Sequence, residues 1–272
     1  MTEPNNDLDD LEAGELMSDD GDEARLGASR KVKVGLGFAA ALGAVAVSSV
    51  VLFRLMNRMQ VEGAENIPVE HENVLYCLNH SSLIDNFAFE SVAYLPKVLF
   101  QPKYLPVNLA DRKNFFGDPK SRRVKDRVLR LLGKYFFSHL RAYPVDRRRG
   151  DLEQVDEWVE LLRQNIVVVF PEGTRSRSGT IGTGKPGVGK LIYDSRPMVI
   201  PVRMMGMENV LGVGRVIPRM FQTVQVYIGK PLDLSEMLGR PLPVERGAEI
   251  DLYRDIADRV VREIRALGPQ ET

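Results

Sequence analysis

The sequence is poor in cysteine, since its 272 residues include only Cys77. A single cysteine excludes an internal disulfide and fits a reducing compartment. The sequence also offers no cluster of residues with metal-ligand spacing, so we expect no metal site. Cys77 lies in an apolar run, which indicates a buried strand residue. A Cys–His nucleophile formed with His80 is the alternative.

Basic residues are absent from the first 24 positions, which hold ten acidic residues. This acidic tail has too little apolar surface to fold, so we predict disorder over residues 1–29. The chain after residue 24 holds all 37 basic residues and 37 − 10 = 27 acidic residues, so its net charge is +10. Residues 97–149, the basic block, hold fifteen Lys or Arg against four Asp. This block suits lipid headgroups, a phosphorylated ligand or nucleic acid, and an ordinary solvated face is the alternative.

Charge is also missing from residues 34–53, an apolar run with basic residues on both sides. A helix of this length rises about 30 Å, the thickness of a bilayer core. Gly35, Ala39 and Gly43 would allow another helix to pack closely. We therefore predict a membrane-associating helical segment over residues 30–59, and a helix buried within the domain is the alternative.

From about residue 60 the sequence alternates between strand-like and helix-like patterns. Apolar runs predict strands over residues 74–78, 166–170, 198–202 and 224–228. Periodic apolar positions predict helices over residues 151–164 and 250–266. This alternation favours one α/β domain over residues 60–272.

A histidine and an aspartate follow the first predicted strand in the segment NHSSLID, residues 79–85. Five positions apart, His80 and Asp85 would lie about 140° apart on an ideal helix and could not share a face. They can meet if His80 lies in the turn and Asp85 in the first helical turn, with Ser81 or Ser82 as N-cap. Asp85 would then accept a hydrogen bond from one ring nitrogen and leave the other free to take a proton. Taken alone, the spacing also fits a structural histidine beside a helix cap.

Three further segments follow or form strands. FPEGTR, residues 170–175, follows a strand where α/β sheets build ligand sites. Its Gly173 allows close approach of the backbone to a ligand, and Arg175 offers a planar fork suited to phosphate oxygens. YPVDR, residues 143–147, ends in Arg147, and IPV, residues 200–202, is an apolar strand with a proline.

The order NHSSLID, YPVDR, FPEGTR and IPV resembles the four sequence blocks of the glycerolipid acyltransferases typified by 1-acyl-glycerol-3-phosphate acyltransferase. The first and third blocks match in full, and the second matches through Arg147. The resemblance covers roughly residues 60–230. It implies a glycerol-3-phosphate acyltransferase-like α/β domain with a mixed sheet flanked by helices.

The resemblance also implies a base-catalysed acyl transfer without a covalent acyl-enzyme. His80 would deprotonate the acceptor hydroxyl, which attacks a thioester, and Asp85 would orient His80. The residues implied to hold the acceptor's phosphate or glycerol part are Lys103, Arg147, Glu172, Gly173, Thr174 and Arg175. No cofactor or metal is implied, and acyl-CoA or acyl-carrier protein would be the co-substrate.

Several acceptors and two other functions are compatible with these residues. Lysophosphatidic acid is our first choice of acceptor, ahead of another lysophospholipid, glycerol-3-phosphate or an acylated amino acid. A lipid-binding protein without turnover is a different class, although His80 and Asp85 are both present. We expect no nucleic-acid partner, because the basic block lacks interleaved aromatic residues at the density that base stacking needs.

The N-terminal charges bear on location. More basic residues precede the apolar run than follow it, so the positive-inside rule keeps the N-terminus cytoplasmic. A single span would then put the catalytic domain outside, away from cytosolic thioesters. A re-entrant or interfacial helix pair, broken near Ser48 and Ser49, removes this conflict. We therefore expect a membrane protein whose catalytic domain faces the cytoplasm and whose partners include membrane phospholipid.

Two glycine motifs resemble nucleotide-binding loops. Residues 182–187 satisfy G-x-G-x-x-G, and residues 184–190 satisfy G-x-x-x-x-G-K. Neither follows a strand, and the second has Leu191 where a nucleotide-binding loop needs Ser or Thr. We predict a flexible loop over the active site and no bound nucleotide.

Overall fold

The structure is a computed structural model of the chain. It describes residues 36–269 except 71, 96, 102–103, 112–120, 133–140, 146–151, 153–154, 178 and 216. The acidic tail and most of residues 133–154 therefore lie outside the described residues. The disorder predicted for the tail and the division of the chain at residues 29 and 59 stay predictions.

A seven-stranded sheet forms the centre of the described part of the chain. Its strands in chain order are β1 Arg58–Glu62, β2 Val74–Leu78, β3 Val107–Asp111, β4 Ala142–Val145, β5 Ile166–Val169, β6 Met198–Met205 and β7 Thr223–Ile228. In space their order is β1-β7-β6-β2-β5-β3-β4. The β6–β7 pair is antiparallel and the other pairs are parallel, so the implied mixed sheet is confirmed.

Helices cover both faces of this sheet. In chain order they are α1 Leu36–Ser49, a π-helix Val50–Leu55, α2 Asp85–Ala93, α3 Lys97–Phe100, α4 Val124–Leu132, α5 Val155–Arg163, α6 Pro186–Ser195, α7 Met207–Leu211, α8 Ser235–Leu238 and α9 Arg246–Ala266. A 3₁₀ turn, Ala64–Asn66, lies between β1 and β2. The four predicted strands are β2, β5, β6 and β7, and the two predicted helices are α5 and α9.

Side chains of β2 divide between two apolar clusters because successive strand residues point to opposite faces. Tyr76 belongs to the cluster that includes residues of the π-helix, α2 and α7. Cys77 belongs to the cluster that includes residues of α5, α6 and α9. Every residue of β2 and β5 is buried, which explains why both strands are continuously apolar.

The predicted break at Ser48 and Ser49 is wrong. Ser49 keeps right-handed helical angles (φ −66°, ψ −45°), and the chain continues directly into the π-helix instead of turning back. The buried side of this segment includes Leu42 and Phe53, which belong to the same cluster as residues of α2 and α3. Among the described residues, no helix is both long and apolar enough to cross a bilayer.

The glycines of the two nucleotide-like motifs serve helix packing. A Cβ placed on Gly189 of α6 would lie 1.7 Å from the carbonyl oxygen of Tyr253 in α9. A Cβ on Gly184 would lie 2.6 Å from the carbonyl carbon of Ala257, also in α9. The two glycines let α6 and the residues before it approach the α9 backbone closely.

Replacing Gly189 with alanine should therefore destabilise the fold. We expect the free energy of unfolding to fall by about 1–3 kcal/mol, because the added methyl group meets backbone that cannot move alone. The matched control is Gly43→Ala in α1, where a Cβ would meet nothing within 4 Å. That variant should be neutral or gain up to about 1 kcal/mol from helix propensity. Urea unfolding measures both, and equal shifts would contradict the packing role.

Candidate active site

The candidate site lies at the carboxyl ends of the two central strands β2 and β5. Asn79 fixes the turn after β2, since its Oδ1 accepts the N–H of Met204 at 2.7 Å. Its Nδ2 donates to the Met204 carbonyl oxygen at 2.8 Å. The buried Asn79 amide thus joins the turn to β6, and His80 follows at a defined position beyond the end of the strand.

The structure brings His80 and Asp85 together. His80 Nδ1 and Asp85 Oδ2 are 2.9 Å apart, and the Asp85 side chain is fully buried. The same carboxylate oxygen accepts the N–H groups of Ser81 and Ser82, each at 2.8 Å. Asp85 is therefore held by three donors, and it presents its charge to one nitrogen of the imidazole.

The predicted N-cap is wrong. Ile84 occupies the N-cap position of α2, and Asp85 is the first helical residue. Ser82 instead accepts the N–H of Ile84 at 3.3 Å and donates its hydroxyl to the carbonyl oxygen of Leu211 at 2.8 Å. The buried carboxylate takes the N–H groups of the serines, so neither serine caps the helix.

The imidazole of His80 stacks on the ring of Phe170. The two ring centroids are 3.8 Å apart, with an interplanar angle of 19°. The His80 side chain is 15% exposed, and no hydrogen bond from the described residues reaches its Nε2. The ring is thus oriented by Asp85, supported by Phe170, and open at the nitrogen that could take a proton. Sequence reasoning missed the support from Phe170.

Glu172 joins three segments of the site through backbone donors. Its Oε1 accepts the N–H of His80 at 2.9 Å, and its Oε2 accepts the N–H of Gly182 at 2.7 Å. The Glu172 residue is only 6% exposed. Gly173 next to it has φ +68°, a conformation that favours glycine, and its N–H donates to the Phe170 carbonyl oxygen at 2.9 Å. FPEGTR therefore forms a tight turn that holds the histidine backbone.

Arg175 and Thr174 extend beyond this turn. The N–H of Ser176 donates to the His80 carbonyl oxygen at 2.7 Å, which keeps Arg175 close to the histidine. Thr174 is exposed and Arg175 is half-buried. The guanidinium forms no ion pair with any charged group in the described part of the chain. Arg147 and Lys103 lie outside the described residues, so their predicted roles stay predictions.

The thiol of Cys77 lies in the core. Its side chain is completely buried in the cluster between the sheet and α5, α6 and α9. Burial raises the pKa of the Cys77 thiol far above its ordinary value, and a nucleophilic cysteine needs the thiolate. The structure therefore favours the strand residue over a Cys–His nucleophile.

Glu90, about one and a half turns after Asp85 in α2, has a carboxyl group with an unusual pKa. It is half-buried and accepts a hydrogen bond from Asn108 Nδ2 at 2.5 Å. Burial raises the pKa of Glu90 from 4.5 to about 8, while the Asn108 hydrogen bond acts in the opposite direction. The folded protein thus keeps a proton on Glu90 at pH values where the unfolded chain has lost it.

This proton gives a prediction for stability against pH. Between about pH 4.5 and 8 the folded state binds more protons at Glu90 than the unfolded state, so stability should fall as pH rises through this window. Glu90→Gln should flatten that part of the curve. Urea midpoints of both proteins across the window measure the difference, and two parallel curves would contradict it.

Comparisons with known proteins agree in that each finds acyltransferases. A family model described as Acyltransferase matches residues 121–205, which include FPEGTR and leave His80 outside. The chloroplastic 1-acyl-sn-glycerol-3-phosphate acyltransferase of Arabidopsis thaliana is 25% identical over 182 residues, covering 66% of this chain. Its counterpart from Brassica napus is 24% identical over 178 residues, covering 64%. The chain spans about half of these relatives, 45% of each.

Among solved structures, the chain is similar to the crystal structure of the 1-acyl-sn-glycerophosphate (LPA) acyltransferase from Thermotoga maritima. The TM-score is 0.47 and the sequence identity is 20%. The superposition covers 84% of this chain and 80% of that one.

Proposed function

We propose that this chain is a glycerolipid acyltransferase of the family typified by 1-acylglycerol-3-phosphate acyltransferase, a proposal that the match to the Acyltransferase family model and the two chloroplastic relatives support. It transfers a fatty acyl group from acyl-CoA or acyl-carrier protein to the free hydroxyl of a lysophospholipid. Our first choice of acceptor is 1-acylglycerol-3-phosphate, which gives phosphatidic acid. The observation that carries the proposal is the 2.9 Å contact between His80 Nδ1 and the buried Asp85 carboxylate, beside the FPEGTR turn.

The proposed chemistry couples two proton transfers to acyl transfer. Asp85 accepts a hydrogen bond from the Nδ1–H group of His80, which leaves Nε2 as the basic nitrogen. Nε2 takes the proton of the acceptor hydroxyl while the hydroxyl oxygen attacks the carbonyl carbon of the thioester. The C–S bond then breaks, and the leaving thiolate takes the proton from the imidazolium. The products are an ester and a free thiol, and neither step uses a cofactor or a metal.

We assign Arg175 to the anionic group of the acceptor. Its guanidinium is half-buried, has no acidic partner among the described residues, and follows a turn bonded to His80. A planar guanidinium can bind two phosphate oxygens at once. Arg147 and Lys103 stay candidates for the same group. Gly173 and Thr174 are proposed to line the approach to it.

Glu172 is proposed to act on the protein and not on the acceptor. Both of its carboxylate oxygens already accept backbone N–H groups, from His80 and Gly182. A buried carboxylate held in this way positions the histidine and the 179–185 loop. This role differs from the acceptor contact that the resemblance implies for Glu172.

Release of free thiol tests the reaction. The purified chain in detergent is mixed with oleoyl-CoA, with and without lysophosphatidic acid, and thiol is followed with a chromogenic disulfide. We expect release that depends on the acceptor and is lost in His80→Ala. A parallel series with acyl-carrier protein as donor, and with other lysophospholipids and glycerol-3-phosphate as acceptors, identifies the substrates. No acceptor-dependent release with any pair would contradict the proposed function.

We further propose that the enzyme works at the cytoplasmic face of a membrane, where thioester donors are available. The basic residues before the apolar run support a cytoplasmic N-terminus, and a helical segment that lies in the membrane interface without crossing it would keep the domain on the same side. Protease added to intact cells should leave the domain uncut, whereas protease added to inverted membranes should cleave it. Cleavage from outside intact cells would contradict the orientation.

A further inference from the structure

An exposed apolar surface lies at the carboxyl edge of the sheet, outside the proposed catalytic machinery. It combines one side of the N-terminal helical segment with residues 212–222, the loop between α7 and β7. We call it the edge patch. Its exposed apolar side chains include Val47, Val51, Leu55, Ile217, Met220 and Phe221.

Hydrogen bonds join the two parts of the edge patch. The N–H of Phe221 donates to the Met56 carbonyl oxygen at 2.7 Å, and the N–H of Arg58 donates to the Gln222 carbonyl oxygen at 2.8 Å. The Asn57 side chain also accepts the N–H of Gln222 at 2.8 Å. The loop and the end of the helical segment therefore present one continuous surface.

Two residues of the loop are exposed in a way that packing within the chain does not explain. Phe221 is 86% exposed and Ile217 is 80% exposed. Phe221 also has φ +62°, in the left-handed region that bulky residues rarely adopt. Such strain persists where the surroundings impose it, and it is characteristic of functional positions. The backbone thus holds an aromatic ring out into solvent at some cost in stability.

The charged residues within the two segments of the edge patch are all basic. Residues 36–58 and 212–222 contain four arginines and no acidic residue. The arginines are Arg54, Arg58, Arg215 and Arg219, and all four are exposed. Apolar side chains surrounded by arginine suit a bilayer with anionic headgroups, where each basic residue near the surface contributes about 1 kcal/mol.

We propose that the edge patch docks on an anionic lipid bilayer, with Ile217 and Phe221 inserted below the headgroups and the four arginines among them. The patch lies beside the candidate active site, because Ser82 donates to the carbonyl oxygen of Leu211 at the start of the loop. A bilayer-held acceptor would therefore enter from this side. This last step alone rests on the proposed function; the docking itself does not.

Vesicle partitioning of the full chain tests the docking. Vesicles of phosphatidylcholine with phosphatidylglycerol are compared with vesicles of phosphatidylcholine alone, in the absence of any acyl donor. Phe221→Gly should weaken partitioning about tenfold, since the variant has no aromatic ring to bury in the bilayer. Its thermal midpoint should not fall, because glycine accepts φ +62° without strain. Arg215→Gln with Arg219→Gln should reduce the preference for anionic vesicles about fivefold per residue.

The matched control is Val244→Ser. Val244 is fully exposed in the loop between α8 and α9, on the chain that leaves the opposite edge of the sheet after β7. This substitution should leave partitioning unchanged, and so should His80→Ala. The double variant Ile217→Ser, Phe221→Gly should bind least of all.

Three results would overturn the docking. One is parent-like partitioning of the double variant. Another is a large loss of thermal stability in Phe221→Gly, which would show that the ring packs within the chain. The third is self-association in the absence of lipid that the double variant abolishes. That result would show that the edge patch binds a second copy of the chain. A chain that partitions as expected but releases no thiol would contradict the proposed reaction alone.

Discussion

We expect His80→Ala to lower kcat for acceptor-dependent thiol release by about 10²–10⁴-fold, the usual contribution of a positioned general base. The reason is that Nε2 of His80 is the open nitrogen of a ring whose other nitrogen is held by Asp85. No base replaces it in the alanine variant, so the acceptor hydroxyl must attack while still protonated. The measurement is the initial rate with saturating acceptor and donor.

Two controls make that loss interpretable. Partitioning of His80→Ala onto vesicles should stay close to that of the parent, since His80 lies outside the edge patch. Its urea midpoint should fall only modestly, because the substitution removes one ring that stacks on Phe170 and one contact to the Asp85 carboxylate. Asp85→Asn should keep the fold through its amide oxygen but lose much of the rate, because it cannot stabilise the imidazolium. A His80→Ala protein that turns over near the parent rate would contradict the proposed mechanism.

The second large effect is expected for Glu172→Ala. Removing the carboxylate frees the N–H of His80 and the N–H of Gly182, which it now holds at 2.9 and 2.7 Å. A histidine displaced by an ångström can cost about 10²-fold in rate. We therefore expect kcat to fall about 100-fold, with the KM for the acceptor nearly unchanged.

The values of kcat and KM, measured separately, distinguish a positioning residue from an acceptor ligand. A side chain that bound the acceptor equally in ground and transition states would raise KM and leave kcat unchanged. Glu172→Gln is the matched variant, since its amide oxygen can keep one N–H partner while its NH₂ group opposes the other. It should therefore lose less rate than alanine. A raised KM with parent-like kcat would contradict the positioning role.

The sequence was most informative where burial alone decides the structure. β2 was predicted to the residue, because each of its side chains is buried and the run is continuously apolar. β1 was missed, since it is a mostly exposed edge strand of five residues, and the alternation in RMQVE rests on only two apolar residues. α9 begins at Arg246, four residues before the predicted start, because its first turn is polar and carries no periodic signal.

The sequence predicted the contact between His80 and Asp85, but not the long-range contacts around it. The His80–Asp85 contact spans five positions and followed from a strand, a turn and a helix start. The contact from Glu172 to the His80 backbone spans 92 positions, so no local pattern could indicate it. The expected serine cap failed for a related reason, since the Ser82 hydroxyl donates to the carbonyl oxygen of Leu211, 129 positions away.

The attachment of His80 to the FPEGTR turn has a consequence for how the enzyme matures. The histidine's N–H is bonded to Glu172 and its carbonyl oxygen to Ser176, so both of its backbone groups depend on chain made about a hundred residues later. During synthesis, the base has no fixed position until β5 has joined β2 and the turn after it has formed. A nascent or truncated chain that ends before Glu172 would therefore carry His80 and Asp85 without a finished site. Completion of the central sheet would therefore be a precondition of the proposed activity.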